Sequence, residues 1–278
     1  MKAIFKLKLL VLLPLVLFSS CRSDDVDTDQ VTELASKTYI LSTVDDSGIS
    51  GSVRFIENSN FTLSVELNLA GTNNNDFHGA FLYLDNAANN TEDIALTLNV
   101  VDGETGMSTT VFTKLDDGTP ISYDALLNFD GHVEIKSNDT NLNTTVANID
   151  IGQNELTTTE ITYTLEERDL TDAFGTITFT KRLNGEALAV FNLEGTPSSG
   201  MHPAHIHAGS VANAPGAILF TFNMVNGTTG KSQTNISNLP DGTTFLYDNV
   251  LTTDGYINVH LSASNLAILI AQGNIGSN

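Results

Sequence analysis

The chain has no tryptophan, one cysteine, six prolines, and only 12 Lys and Arg against 33 Asp and Glu in 278 residues. Each shortage excludes something. A lone cysteine, Cys21, rules out an intramolecular disulfide. A formal charge of −21 repels phosphate backbones, so nucleic acid is not an expected partner. Neither a GxSxG elbow nor an HExxH pair occurs, so no conventional hydrolytic centre is expected. Carboxylates are too numerous for any pair of them to be singled out. What is abundant is Thr, Asn, Asp and Gly, a composition suited to short strands joined by turns rather than to long helices.

The N-terminus, MKAIFKLKLLVLLPLVLFSSC, carries Lys2, Lys6 and Lys8, an apolar run from Leu9 to Phe18, and small residues before Cys21. It reads as a secretory signal peptide over residues 1–20. The stretch LFSSC resembles a bacterial lipobox, which implies cleavage and lipidation at Cys21. The lone cysteine is then committed to the anchor and is no nucleophile. Removing residues 1–20 takes away three lysines and no acid, so the mature charge is 9 − 33 = −24. Residues 21–36 begin RSDDVDTDQ after the cysteine, an acidic stretch expected to be a flexible tether. Its acidic start resembles the surface-export signal of Bacteroidetes lipoproteins, which implies the outer face of an outer membrane. No later segment is long and apolar enough to span a bilayer.

The rest of the chain repeats itself. NFDGHVEIKSN at 128–138 matches TTDGYINVHLS at 252–262, and LNLAGT at 67–72 matches FNLEGT at 191–196. IALTLNVVDGETG at 94–106 matches ILFTFNMVNGTTG at 218–230, and LDDGTPISYDALL at 115–127 matches LPDGTTFLYDNVL at 239–251. Every pair is 124 residues apart, with roughly a third of positions identical and no gap. Two homologous domains are therefore expected, over 37–156 and 157–278. In GTITFTK (175–181) Ile177 and Phe179 alternate with threonines, and GSVRFIE (51–57) keeps Val53 and Phe55 on the same face. That period of two marks half-buried strands. Further strands are read at ALAVFNL, AILFTFN, YINVH and LAILIAQG, and one short helix around Tyr247–Leu251. The expected fold is all-β, an antiparallel sandwich or barrel in each copy. NGTTGKS at 226–232 has two residues between its glycines where a phosphate-binding loop needs four, so it is read as a hairpin turn.

Four of the six histidines lie in the second copy: His202, His205 and His207 within HPAHIHAGS, and His260 closing YINVH. On a strand, positions 205 and 207 share a face, and Asn258 and His260 share one on another strand. Where the two strands face each other, three imidazoles converge, a donor set suited to copper or zinc with a fourth position for water or His202. The sister positions of His205, His207 and His260 are Phe81, Tyr83 and Lys136, so all three ligands are lost together in the first copy. His202 keeps a partner, His78, where the other ligands are missing, which favours a structural role for both.

HPAHIHAGS, the glycine-containing loop after it, AILFTF and GYINVHLSASN together resemble the CHRD domain, first defined in chordin and common in bacterial secreted proteins. The likeness covers most of 160–278, and the first copy shares it only through the second. It implies tandem immunoglobulin-like antiparallel β-sandwiches and, by analogy with chordin, an extracellular binding role. The domain also resembles copper/zinc superoxide dismutase in its H-x-H strand pair and distant histidine. That enzyme needs a second, zinc-binding set with a bridging histidine, whereas this copy has four histidines in all, so at most a mononuclear site is expected. The sequence thus favours a lipid-anchored, non-enzymatic surface module that binds an extracellular protein or glycan. The alternative is a copper- or zinc-binding or redox protein using the histidine cluster.

Overall fold

The computed structural model describes residues 30–278 except Asn90, Asn141 and Thr171; the signal segment, Cys21 and the tether as far as residue 29 lie outside the described residues. The first copy runs β1 Glu33–Thr43, β2 Ser50–Asn58, β3 Leu63–Ala70, β4 Phe77–Leu84, β5 Ile94–Asp102, β6 Met107–Phe112, α1 Tyr123–Leu127, β7 Asp130–Lys136 and β8 Thr145–Gly152. The second runs β9 Leu156–Glu167, β10 Phe174–Arg182, β11 Ala187–Glu194, β12 Met201–His202, β13 Ala204–Ala208, β14 Ile218–Thr221, β15 Val225–Asn226, β16 Lys231–Ile236, α2 Tyr247–Thr252, β17 Asp254–Ser262 and β18 Asn265–Gly276. The chain is all-β and its strand pairs are antiparallel. Two of its edges differ from the sequence reading. Residues 33–36, placed in the tether, are the first four of β1, and β9 starts at Leu156.

The two copies share a strand order but close differently. In the first, β1-β2-β3-β6-β5-β4-β7-β8 forms a closed barrel, sealed between β5 and β6 at Asp102 and Met107 and between β8 and β1. In the second, the equivalent order β14-β13-β17-β18-β9-β10-β11-β16 stays open between β14 and β16. The chain after β14 pairs elsewhere, Val225 and Asn226 lying against His202 and Met201 as β15 and β12.

Alternation in the sequence fills both interiors. Val53 and Phe55 on β2 are buried with Leu67, Val133 and Ile135 in one core. Their sisters Ile177 and Phe179 on β10 are buried with Phe191, Ile257 and Val259 in the other. Phe191 meets Phe222 edge-on at 5.0 Å, a favoured aromatic geometry. Short helices lie at matching places. In α1 the Ser122 hydroxyl accepts the Ala125 amide at 3.2 Å, capping the helix while Tyr123 and Leu126 point inward. In α2, Tyr247 and Val250 do the same.

The copies are pinned together by a buried charge. Arg182, the last residue of β10, is fully buried. Its Nη1 donates to Asp150 Oδ2 at 2.6 Å and to the Asn154 carbonyl at 2.5 Å, both from the first copy. Its Nε donates to Asn235 Oδ1 at 2.7 Å. Asp150 is itself held, accepting the Ala87 amide at 2.7 Å. A polar cleft of about 830 Å³ also opens between the copies, with Thr43, Asp45 and Asn148 on one wall and Asn226, Thr228 and Lys231 on the other.

Candidate metal centre

β13 lies between β14 and β17. Its register sets Ala204 opposite Val259, His205 opposite Asn258, Ile206 opposite Ile257 and His207 opposite Tyr256. Ala204, Ile206, Ile257 and Val259 are core residues. The pleat therefore turns His205, His207, Tyr256, Asn258 and His260 to the opposite face of the sheet. The histidine face is not the apolar face, yet His205, His207 and His260 are only 8%, 8% and 6% exposed.

Two loops cover that face and orient the rings. The segment between β13 and β14 brings the Gly216 carbonyl to 2.9 Å from His207 Nδ1. Beyond the β17–β18 turn, Leu266 at the start of β18 brings its carbonyl to 2.7 Å from His260 Nδ1. A carbonyl can only accept, so each Nδ1 carries a proton, and in the neutral ring the lone pair is then on Nε2. The Gly216 amide donates to the Tyr256 hydroxyl at 2.8 Å, tying the loop to the strand below. Gly216 allows that closeness: a Cβ there would sit 1.9 Å from the Ala208 carbonyl oxygen.

Each of the three rings presents one nitrogen to the others, all within 4.8 Å of one another. Ring centroids are 5.0 Å apart for His205 and His260 and 5.9 Å for His205 and His207. His205 Nδ1, His207 Nε2 and His260 Nε2 are buried without a hydrogen-bond partner in the protein. Burial, with His260 and His207 beside it, pushes the His205 imidazole down to about 4. Burial also lowers His260, partly offset by its bond to Leu266. Three converging, unpartnered ring nitrogens, with the outer nitrogens of His207 and His260 held by carbonyls, form a donor set that suits a copper or zinc ion. The residues fit such an ion.

His202 is not part of this cluster. Its Nδ1 lies 2.8 Å from the Leu261 carbonyl and its Nε2 3.2 Å from the Pro197 carbonyl. His78 likewise has its Nδ1 2.9 Å from the Lys136 carbonyl. Both histidines tie down the end of a neighbouring strand, β7 for His78 and β17 for His202, which also reaches the loop at Pro197. Cys21 lies outside the described residues. Three contributors went unnoticed in the sequence: Tyr256 and the carbonyls of Gly216 and Leu266. Tyr256 could have been found by its place opposite His207, but backbone carbonyls leave no mark in a residue pattern.

The first copy builds a different interior on the same face. Phe81 stands opposite Glu134, and Tyr83 opposite His132. The Lys136 ammonium contacts the Glu134 carboxylate, reaches Thr145 Oγ1 at 3.1 Å, and lies 5.1 Å above the Tyr83 ring. Burial alone would raise the Glu134 carboxyl, but His132, Lys136 and Thr145 together hold it down at about 2. An internal ion pair thus occupies the place of the three-histidine cluster.

No family model matches the chain, and neither the curated proteins nor the solved structures compared with it give a match.

Proposed function

We propose that the protein is a lipid-anchored, extracellular metal-binding module of the CHRD type, holding one copper or zinc ion in its second copy through His205, His207 and His260. The observation that carries this reading is the convergence of three buried imidazoles, each with an unpartnered nitrogen, within 4.8 Å. Leaving that many polar atoms unpaired costs a fold on the order of 1–3 kcal/mol apiece, so an arrangement that does so three times in one place points to a ligand. A bound ion would bring Lewis acidity and, if copper, a one-electron couple. Three protein ligands leave a further position open for water or a small molecule. Anchoring rests on Cys21 and its preceding apolar run, and location at an outer membrane surface on the acidic residues that follow.

The test is metal content. The mature chain is loaded with Cu(II) and Zn(II), dialysed, and measured by mass spectrometry beside His205→Ala/His207→Ala. Close to one ion per chain, lost in the variant, is expected. Equal retention in both proteins sinks the reading.

A second reading, a binding module for an extracellular protein or glycan, is favoured by the polar cleft between the copies. Thr43, Asn148, Asn226 and Thr228 give it uncharged donors and acceptors suited to hydroxyl groups. Glycan-array binding weakened by Asn148→Ala and Asn226→Ala would support it. Binding unchanged by both would remove it.

A further inference from the structure

We propose that the turn between β2 and β3 is a membrane-contacting tip, with Phe61 as an apolar finger in the interfacial layer of the bilayer. The proposal rests on the Cys21 anchor of the reading above. Phe61 is 95% exposed, more than any other large hydrophobic residue among those described. Its backbone is in the left-handed region, with φ 62°, a conformation that bulky side chains disfavour. The sister position in the second copy is Gly185, φ 89°, a residue that takes this conformation freely. The first copy thus holds a strained phenylalanine where glycine would serve, and buries almost none of it. The return on that strain lies outside the fold.

Position identifies the occupant. The Ser59 amide donates to the Thr32 carbonyl at 2.8 Å, and the Thr32 amide to Ser59 Oγ at 3.0 Å. The turn is therefore fastened to the point where the chain enters the barrel, eleven residues after Cys21, a distance of at most about 40 Å when fully extended. Leu34 is at the same end. It is the bulged residue between the pairs Glu33–Asn58 and Ala35–Glu57, and it is 62% exposed. The second copy uses its equivalent turn in the same sense. Leu183 and Asn184 donate to the carbonyls of Glu155 and Gln153, in the segment arriving from the first copy. Each turn faces what precedes its copy. For the second that is protein; for the first it is Thr32, eleven residues along the chain from Cys21. An aromatic side chain is at home in the interfacial layer, and a mature charge of −24 favours zwitterionic over anionic headgroups.

The absence of tryptophan gives a clean test, because Phe61→Trp introduces the sole indole. The acylated full chain carrying this change is placed in phosphatidylcholine/phosphatidylethanolamine vesicles. Emission is expected to move to shorter wavelength and to be quenched by bromine-labelled acyl chains. In a Cys21→Ser background, Phe61→Gly is expected to weaken partition into the same vesicles by about tenfold. Should Phe61→Trp fold poorly, Asn60→Trp reports from the same tip. Emission typical of water, with no quenching by lipid in either tryptophan variant, overturns the proposal. So does a blue shift that grows with protein concentration in the absence of vesicles, which would assign the finger to a second copy of the chain. A mass for Cys21 without acyl chains defeats the anchoring reading instead, and the Cys21→Ser vesicle data still decide the tip.

Discussion

His207 stacks on Tyr256 with centroids 5.2 Å apart and planes 17° from parallel. In the first copy Tyr83 stacks on His132 at 5.3 Å and 14°, the same pair of rings with the partners exchanged between strands. The stack therefore belongs to the shared architecture, whereas the convergence of three imidazoles belongs to the second copy alone. The exchange separates what the fold needs from what the candidate site needs, and the following predictions exploit that.

The His205 imidazole is held down at about 4, below the ordinary histidine value of 6.5. In the unfolded chain this group binds a proton at about pH 6.5, while the folded chain refuses it until about pH 4. Its contribution to stability is fully present above the unfolded value and is lost as pH falls through that window, by about 3 kcal/mol at most. Urea unfolding of the metal-free protein from pH 7 to pH 4 should show this decline. His205→Phe, which installs the sister residue, should flatten it.

Gly216→Ala should weaken metal retention without touching a ligand. The added Cβ would collide with the Ala208 carbonyl at 1.9 Å, moving the loop whose carbonyl orients His207. Losing an orienting partner of a histidine ligand typically costs about 10–100-fold in metal affinity. Competition against a chelator measures it, and circular dichroism should find the β-structure unchanged.

In the first copy, Lys136→Met leaves the Glu134 carboxylate buried without its ammonium, and should destabilise by about 3–5 kcal/mol at neutral pH. Glu134→Gln/Lys136→Met removes both charges and should recover most of that loss. The wild-type carboxyl, held at about 2 against 4.5 when free, gives stability that is complete above pH 4.5 and fades as pH drops toward 2. Denaturation of the single and double variants at pH 7 and pH 3 tests both statements.

Arg182→Ala should cost a similar amount, about 3–5 kcal/mol, because Asp150 is left charged beneath the second copy. It should also change the form of unfolding. One shared transition is expected in the wild type, and two, one for each core, in the variant, read by calorimetry.

Much of this was legible in the sequence because the repeat allowed one copy to be checked against the other. Val53 and Phe55 against Ile177 and Phe179 showed the strand faces, and the joint replacement of His205, His207 and His260 in the first copy marked them as a group. Three features were not legible. Arg182 ends β10 just past the alternating stretch 175–181, and no residue pattern announces that Asp150 and Asn154 of the first copy receive it. The loops that cover the histidine face act through backbone carbonyls, which any residue could supply. The open ladder of the second copy has no composition signal, because Val225 and Asn226 pair with β12 through backbone groups alone.

That opening has a kinetic consequence. In the first copy β5 is bonded on both sides; in the second its counterpart β14 is a four-residue edge strand, held only by the β13 that carries His205 and His207. Opening of the loop that leads into this short edge, which carries Gly216, would uncover the histidine face without unpairing the rest of the sheet. The lifetime of an ion in the site would then be governed by this local opening rather than by global unfolding.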